Sequence, residues 1–313
     1  MVEPVIHAED LVKAYEVPGE RDFIAVDGLS FDVEPGESFG LLGPDGSGKS
    51  TVMRMVAAVS SRTGGRLSVL GLEPDDHAPE IRSRLGIVPQ QDTLDVELTG
   101  REALVTHVRL FGVPPRIGLR RARALLTAEG LEDTMKRTIE DLDAGVRRRL
   151  AIARALVNEP RILLVDSPGE GLDATDRAAV HGALSRIRET GMTILLGTRD
   201  AEEAEKLCDR VALVDGGRVL AAGHPDALVR EHTSREVLEL RFGVGRTMQA
   251  ARQLFGIGDR LATLADRVLV YADNGERVWA GVVERGLQPA SSLVRRSNLD
   301  DVFLRLTGRT LAA

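Results

Sequence analysis

Between a short apolar run and a helical pattern, residues 43–51 read GPDGSGKST, and no other stretch constrains the fold as tightly. The segment fits G-x-x-x-x-G-K-[ST]. It follows the predicted strand ESFGLLG and opens a helix predicted from near Lys49. Its glycines let backbone N–H groups turn inward around phosphates, and the helix N-terminus adds its positive end. Gly43, Pro44, Asp45, Gly46, Ser47, Gly48, Lys49, Ser50 and Thr51 are therefore candidate phosphate-cradle residues. Lys49 would reach the β- and γ-phosphates, and Ser50 would offer its hydroxyl to magnesium. Alone, the motif indicates a P-loop nucleotide binder, a class that includes kinases and GTPases.

A second signal is RILLVDSPGEGLD, where Asp166 ends an apolar run at the right distance downstream to be the acidic magnesium partner. RILLVD and MTILLG are continuous apolar runs of the buried parallel-strand kind, each followed by a helical pattern. VIHAEDLVKAY and IAVDGLSFDV alternate as strands of an antiparallel hairpin or small sheet, and RVALVDGGRVLAAG turns at Gly216-Gly217. The segment from about 95 to 156 is helical and Arg-rich. A boundary falls near residue 230, where REHTSRE interrupts the patterning. Residues 231–313 then read as a small α+β unit: REVLELRF, RVLVYA and RVWAGVV as strands, TMQAARQLFGI and NLDDVFLRLTG as helices.

The net charge of -7 argues against a nucleic-acid partner, which calls for a basic face. The arginine clusters at 120–123 and 147–149 are accordingly expected on solvated helix faces. A lone Cys208 forms no internal disulfide and suits a reducing cytosol. The six histidines lack metal-ligand spacing. No apolar stretch approaches the roughly 20 residues that cross a bilayer, and no signal-peptide pattern opens the chain, so a membrane role requires a partner.

In order and spacing, residues 1 to about 230 resemble the ATP-binding-cassette (ABC) ATPases. The resemblance implies an α/β P-loop fold with a parallel sheet core, an N-terminal antiparallel β subdomain and an α-helical signature subdomain. It implies Tyr15 stacking on adenine, Gln90 touching magnesium together with Ser50 and Asp166, and Mg-ATP as the ligand. Leu142, Asp143, Ala144, Gly145 and Val146 occupy the place of the family signature, and Asp173 matches the loop that crosses the dimer interface. The tail SNLDDVFLRLTGR, with the α+β unit before it, resembles the C-terminal extension of daunorubicin-resistance-type exporter ATPases. Implied partners are a membrane permease and either a second copy of this chain or another ABC ATPase, with localisation at the inner face of the cell membrane.

Four positions in three segments depart from the family pattern. Ser167 stands where a general-base Glu follows the magnesium Asp, and such assistance is worth roughly 10²–10⁴-fold in rate. Arg199 replaces the switch His; it can pair with phosphate but shuttles no proton near neutral pH. Asp143 and Ala144 replace Ser and Gly in the signature, placing a carboxylate against the partner's γ-phosphate. Glu170, three residues past Ser167 through a Pro turn, is expected many ångströms from the attacking water. Both faults lie on one chain, so neither a homodimer nor a heterodimer with a normal partner has a fully intact site. Three readings follow: a hydrolysis-impaired transport subunit, a slow ATPase driving export alone, or a regulatory ABC protein acting outside transport.

Overall fold

Alternation of apolar and polar residues makes β1 (Ile6–Tyr15) and β2 (Phe23–Val33) an antiparallel pair with one buried face. In contrast, β3 (Ser38–Leu42) is buried at every position, because elements cover both of its faces. The computed structural model describes residues 3–19, 21–243 and 245–311. After β3 come α1 (Lys49–Val56), β4 (Gly64–Val69), α2 (Ala78–Ser83), β5 (Leu85–Val88), α3 (Gly100–Arg109) and α4 (Pro115–Ala128). The first unit continues with α5 (Ala144–Leu156), β6 (Ile162–Asp166), α6 (Ala174–Glu189), β7 (Thr193–Thr198), α7 (Ala201–Leu207), β8 (Arg210–Asp215) and β9 (Arg218–Gly223).

Six strands form the central sheet in the order β5-β6-β7-β3-β8-β9, parallel except for the β8–β9 hairpin. A three-stranded antiparallel sheet, β2-β1-β4, forms beside it, and β4 is a strand the sequence patterning leaves unmarked. Phe31 of β2 stacks on Phe39 of β3 with ring centroids 5.4 Å apart. That contact belongs to a core that also holds Ile6, Leu41, Val52 and Met55. Each such side chain contributes roughly 1.5–3 kcal/mol by leaving water. Helices α3, α4 and α5 pack on one another as a helical lobe. Its entry is fixed by a reciprocal capping box between Thr99 and Glu102.

The chain divides into two units at Gly223/His224. The second holds α8 (Pro225–His232), β10 (Glu236–Arg241), α9 (Thr247–Gln253), β11 (Arg260–Thr263), β12 (Arg267–Ala272), α10 (Gly275–Glu284), β13 (Ser291–Arg296) and α11 (Leu299–Thr307). Its sheet is antiparallel in the order β11-β12-β10-β13. Leu238, Leu240, Val268 and Val270 face a core shared with Val278 and Val282, while Val237, Leu269 and Tyr271 pack with Leu304. RVWAGVV is not a strand: it lies inside α10. Asn274 caps that helix by accepting from the Arg277 N–H, and Val278 and Val282 share one helical face. Two-residue alternation and four-residue spacing coincide over so short a run, and the cap decides between them.

Candidate functional site

In a parallel sheet, ligands sit beyond the carboxyl ends of the strands. Four adjacent strands, in the spatial order β5-β6-β7-β3, end just before Gln90, at Asp166, before Arg199 and before Gly43. Strand order alone therefore gathers four sequence-distant segments at one edge.

The P-loop backbone is shaped by close approaches. A Cβ on Gly43 would lie 2.1 Å from the Val214 carbonyl oxygen. Gly48, at φ +105, precedes α1 in the left-handed region, and a Cβ there would lie 2.5 Å from the Ala25 carbonyl oxygen. Lys49 is 6% exposed and donates to the carbonyls of Gly43 (2.7 Å) and Pro44 (2.8 Å) and to Ser47 Oγ (3.3 Å). Burial lowers its pKa, opposed by Asp166 and Asp45. A cleft of about 310 Å³ is lined by Asp45, Lys49, Ser50, Thr51, Gln90 and Ser167. Phe23 and Ala25 of β2 line it as well, and the sequence reading missed both. Tyr15 is the register partner of Phe23 on β1, with Lys13 Nζ 5.0 Å from its ring centroid. That pairing is the signal that could have found Phe23.

Ser50, Gln90 and Asp166 line a neighbouring cleft together. A hydroxyl, an amide carbonyl and a carboxylate are hard oxygen donors that suit magnesium, with nucleotide phosphates supplying further ligands. The donor set fits the ion.

Ser167 adopts φ +49, donates its N–H to the Gly197 carbonyl (2.7 Å), and sets its Oγ 3.4 Å from Asp166 Oδ1. This left-handed step begins a tight turn closed by the Glu170 N–H on the Ser167 carbonyl (3.2 Å). The turn brings Glu170 back toward the cradle, against the expectation that it lies remote. Its Oε2 accepts from Gln90 Nε2 (2.6 Å), and its Oε1 lies 3.3 Å from Arg199 Nη2. Arg199 Nη1 also pairs with Asp45 Oδ2 at 2.7 Å. Behind the turn, Glu203, 2% exposed, accepts the Gly169 N–H (3.1 Å) and meets His181 Nε2 (2.9 Å).

The signature residues sit at the start of α5. Leu142 is buried, and Asp143 caps the helix by accepting the Val146 N–H at 2.8 Å. Ala144 lines a pocket of about 150 Å³ with Pro89, Glu170 and Leu172. Gly145 is pressed on α6, where a Cβ would lie 2.3 Å from Asp176 Cγ. Asp173 caps α6 through the Asp176 N–H (2.8 Å). The arginines 147–149 are half-buried anchors, which corrects the solvated-face expectation. Arg148 donates to the carbonyls of Pro89 and Gln90 (2.7 Å each), Arg147 pairs with Asp92 (3.6 Å), and Arg149 reaches the Glu129 carbonyl (3.3 Å). Arg154, further along the same helix, holds the Thr93 carbonyl (2.9 Å) and Oγ1 (2.7 Å).

The sequence profile of the ABC transporter family matches residues 26–170, and that of the C-terminal domain of nodulation factor export protein NodI matches residues 247–308. The Nod factor export ATP-binding protein I of Rhizobium etli is 38% identical over 308 residues, covering 98% of this chain and 94% of the relative. That of Neorhizobium galegae is 39% identical over 291 residues, covering 93% and 83%. Among solved structures, a dimeric bacterial ABC transporter cassette superposes with a TM-score of 0.64 at 27% identity, covering 70% of this chain and 98% of that one. A Clostridium perfringens protein, part of an ABC transporter complex, gives 0.66 at 25% identity, covering 73% and 92%.

Proposed function

The chain belongs to the ABC transporter ATP-binding proteins, and from that premise we propose that it is the Mg-ATP-binding subunit of an exporter with slow hydrolysis. The observation that carries the reading is the cleft in which Lys49, Ser50, Gln90 and Ser167 converge. Lys49 and the P-loop N–H groups hold the β- and γ-phosphates. Ser50, Gln90 and Asp166 hold magnesium, which when bound neutralises phosphate charge. Tyr15 and Phe23, register partners on adjacent strands, receive the adenine. Ser167 holds no carboxylate for an attacking water, so binding outlasts turnover.

No described helix is long and apolar enough to cross a membrane. In this reading the membrane path belongs to a permease, as the exporter relatives support. The matched relatives are named for Nod factor export, and the matched C-terminal domain supports the same exporter subclass for residues 231–313. A second copy of this chain or another ABC ATPase supplies the facing signature.

Thermal unfolding with and without Mg-ATP tests the reading. Ligand at 100 times its Kd stabilises by about 2.7 kcal/mol, and Lys49→Ala abolishes that rise. Phosphate release as fast as an ordinary family member's would refute the slow-hydrolysis part.

A further inference from the structure

The polar groups beyond the strand ends form one continuous chain, Gln90–Glu170–Arg199–Asp45, in the same order as β5-β6-β7-β3. Both terminal nitrogens of Arg199 are committed, Nη1 to Asp45 and Nη2 to Glu170. One of these carboxylates belongs to the P-loop itself. The other is carried on the turn that Glu203 anchors through the Gly169 N–H, and a Cβ on Gly169 would lie 2.7 Å from Glu203 Oε1. Asp45, Arg199 and Glu170 all lie close enough to Lys49 to act on its charge.

We infer that Asp45 and Glu170 are specificity-determining residues that set how strongly this site prefers a nucleoside triphosphate to a diphosphate, by competing with the γ-phosphate for Arg199. The inference rests on the nucleotide-binding reading above. A γ-phosphate beyond Lys49 finds a guanidinium already held by two carboxylates. A diphosphate carries no group to that place and leaves both pairs intact. The cost of the competition therefore falls on the triphosphate alone. Arg199 is 49% exposed and Asp45 70%, so each pair is solvent-screened. Its loss is worth roughly twofold to fivefold in affinity.

The test is a competition titration of the full chain with Mg-ATP and Mg-ADP against a fluorescent ADP analogue. It uses Asp45→Asn, Glu170→Gln, Arg199→Ala and the two doubles with Arg199→Ala. Each carboxylate substitution raises the ATP-to-ADP affinity ratio roughly twofold to fivefold. Arg199→Ala lowers the ratio, and in its background the gains vanish. Unfolding midpoints within a few degrees of the parent confirm that the variants fold. Gains that persist without Arg199, or that are equal for ATP and ADP, overturn the inference. So does Glu170→Gln leaving the ratio unchanged while cutting turnover more than tenfold, because the carboxylate then acts on water and not on Arg199. A parent chain that binds neither nucleotide overturns the nucleotide-binding reading itself, and this inference with it.

Discussion

Asp143→Asn separates two roles that one carboxylate plays at the head of α5. Asp143 accepts the Val146 N–H at 2.8 Å and caps the helix, and Asn is an equally good cap, so the hydrogen bond survives. The lost charge removes a favourable interaction with the helix dipole of about 0.3–1 kcal/mol, so the monomer becomes slightly less stable. Across the proposed dimer interface, where the family resemblance sets Asp143 against the partner's γ-phosphate, the sign reverses. Two unit charges about 4 Å apart repel by roughly 4 kcal/mol at an effective dielectric near 20 and by about 1 kcal/mol in water. Asp143 is exposed, which places the relief near the lower end, about 1–2 kcal/mol, or roughly 5- to 30-fold in association. The assay is light scattering of the chain with and without Mg-ATP, alongside the unfolding midpoint. The expected result is stronger ATP-dependent association from a marginally less stable protein. If association is unchanged while Ala144→Gly strengthens it, the steric fault at 144 is the barrier and the charge argument is refuted.

Gly145→Ala destabilises the first unit by about 1–3 kcal/mol, because its Cβ would meet Asp176 at 2.3 Å; chemical denaturation without nucleotide measures it. Arg148→Ala leaves the carbonyls of Pro89 and Gln90 without their donor and costs about 1–3 kcal/mol by the same assay, and Arg148→Lys, lacking the two-pronged fork, restores less than half. Burial first, and Arg154 second, push the His107 pKa down to about 4. The unfolded chain therefore binds this proton first as pH falls: stability is full above about pH 6.5 and drops toward pH 4 by on the order of 2–3 kcal/mol, a slope that His107→Leu lacks in denaturation at stepped pH. A chain ending at Gly223, the boundary of the first compact unit, keeps nucleotide-induced stabilisation in thermal unfolding, and loss of that stabilisation would show that the second unit is needed for binding.

The sequence reading reached the P-loop, the parallel strands and the cassette architecture because motif spacing and unbroken apolar runs are local signals. It missed β4, β11 and β13, and RVWAGVV was misread for want of its cap at Asn274. Strand β13 reads SSLVRR and stays largely exposed, so no apolar face marks it. The nearness of Glu170 to Gln90 and Arg199 depends on a left-handed Ser167, and no residue type at that position announces such a backbone. The anchoring arginines escaped for a related reason. Arg148, Arg149 and Arg154 hold the carbonyls of residues 89, 90, 129 and 93, and backbone acceptors leave no trace in side-chain identity.

Those anchors make a mechanical part of α5 and the segment after β5. Residues 89–93 are bolted to one helix at successive points by Arg148, Arg147 and Arg154. The same helix carries Asp143 and Ala144 at its tip. A shift of the loop backbone at Gln90 therefore pulls on the helix whose tip carries Asp143 and Ala144, as a handle pulls on its shaft.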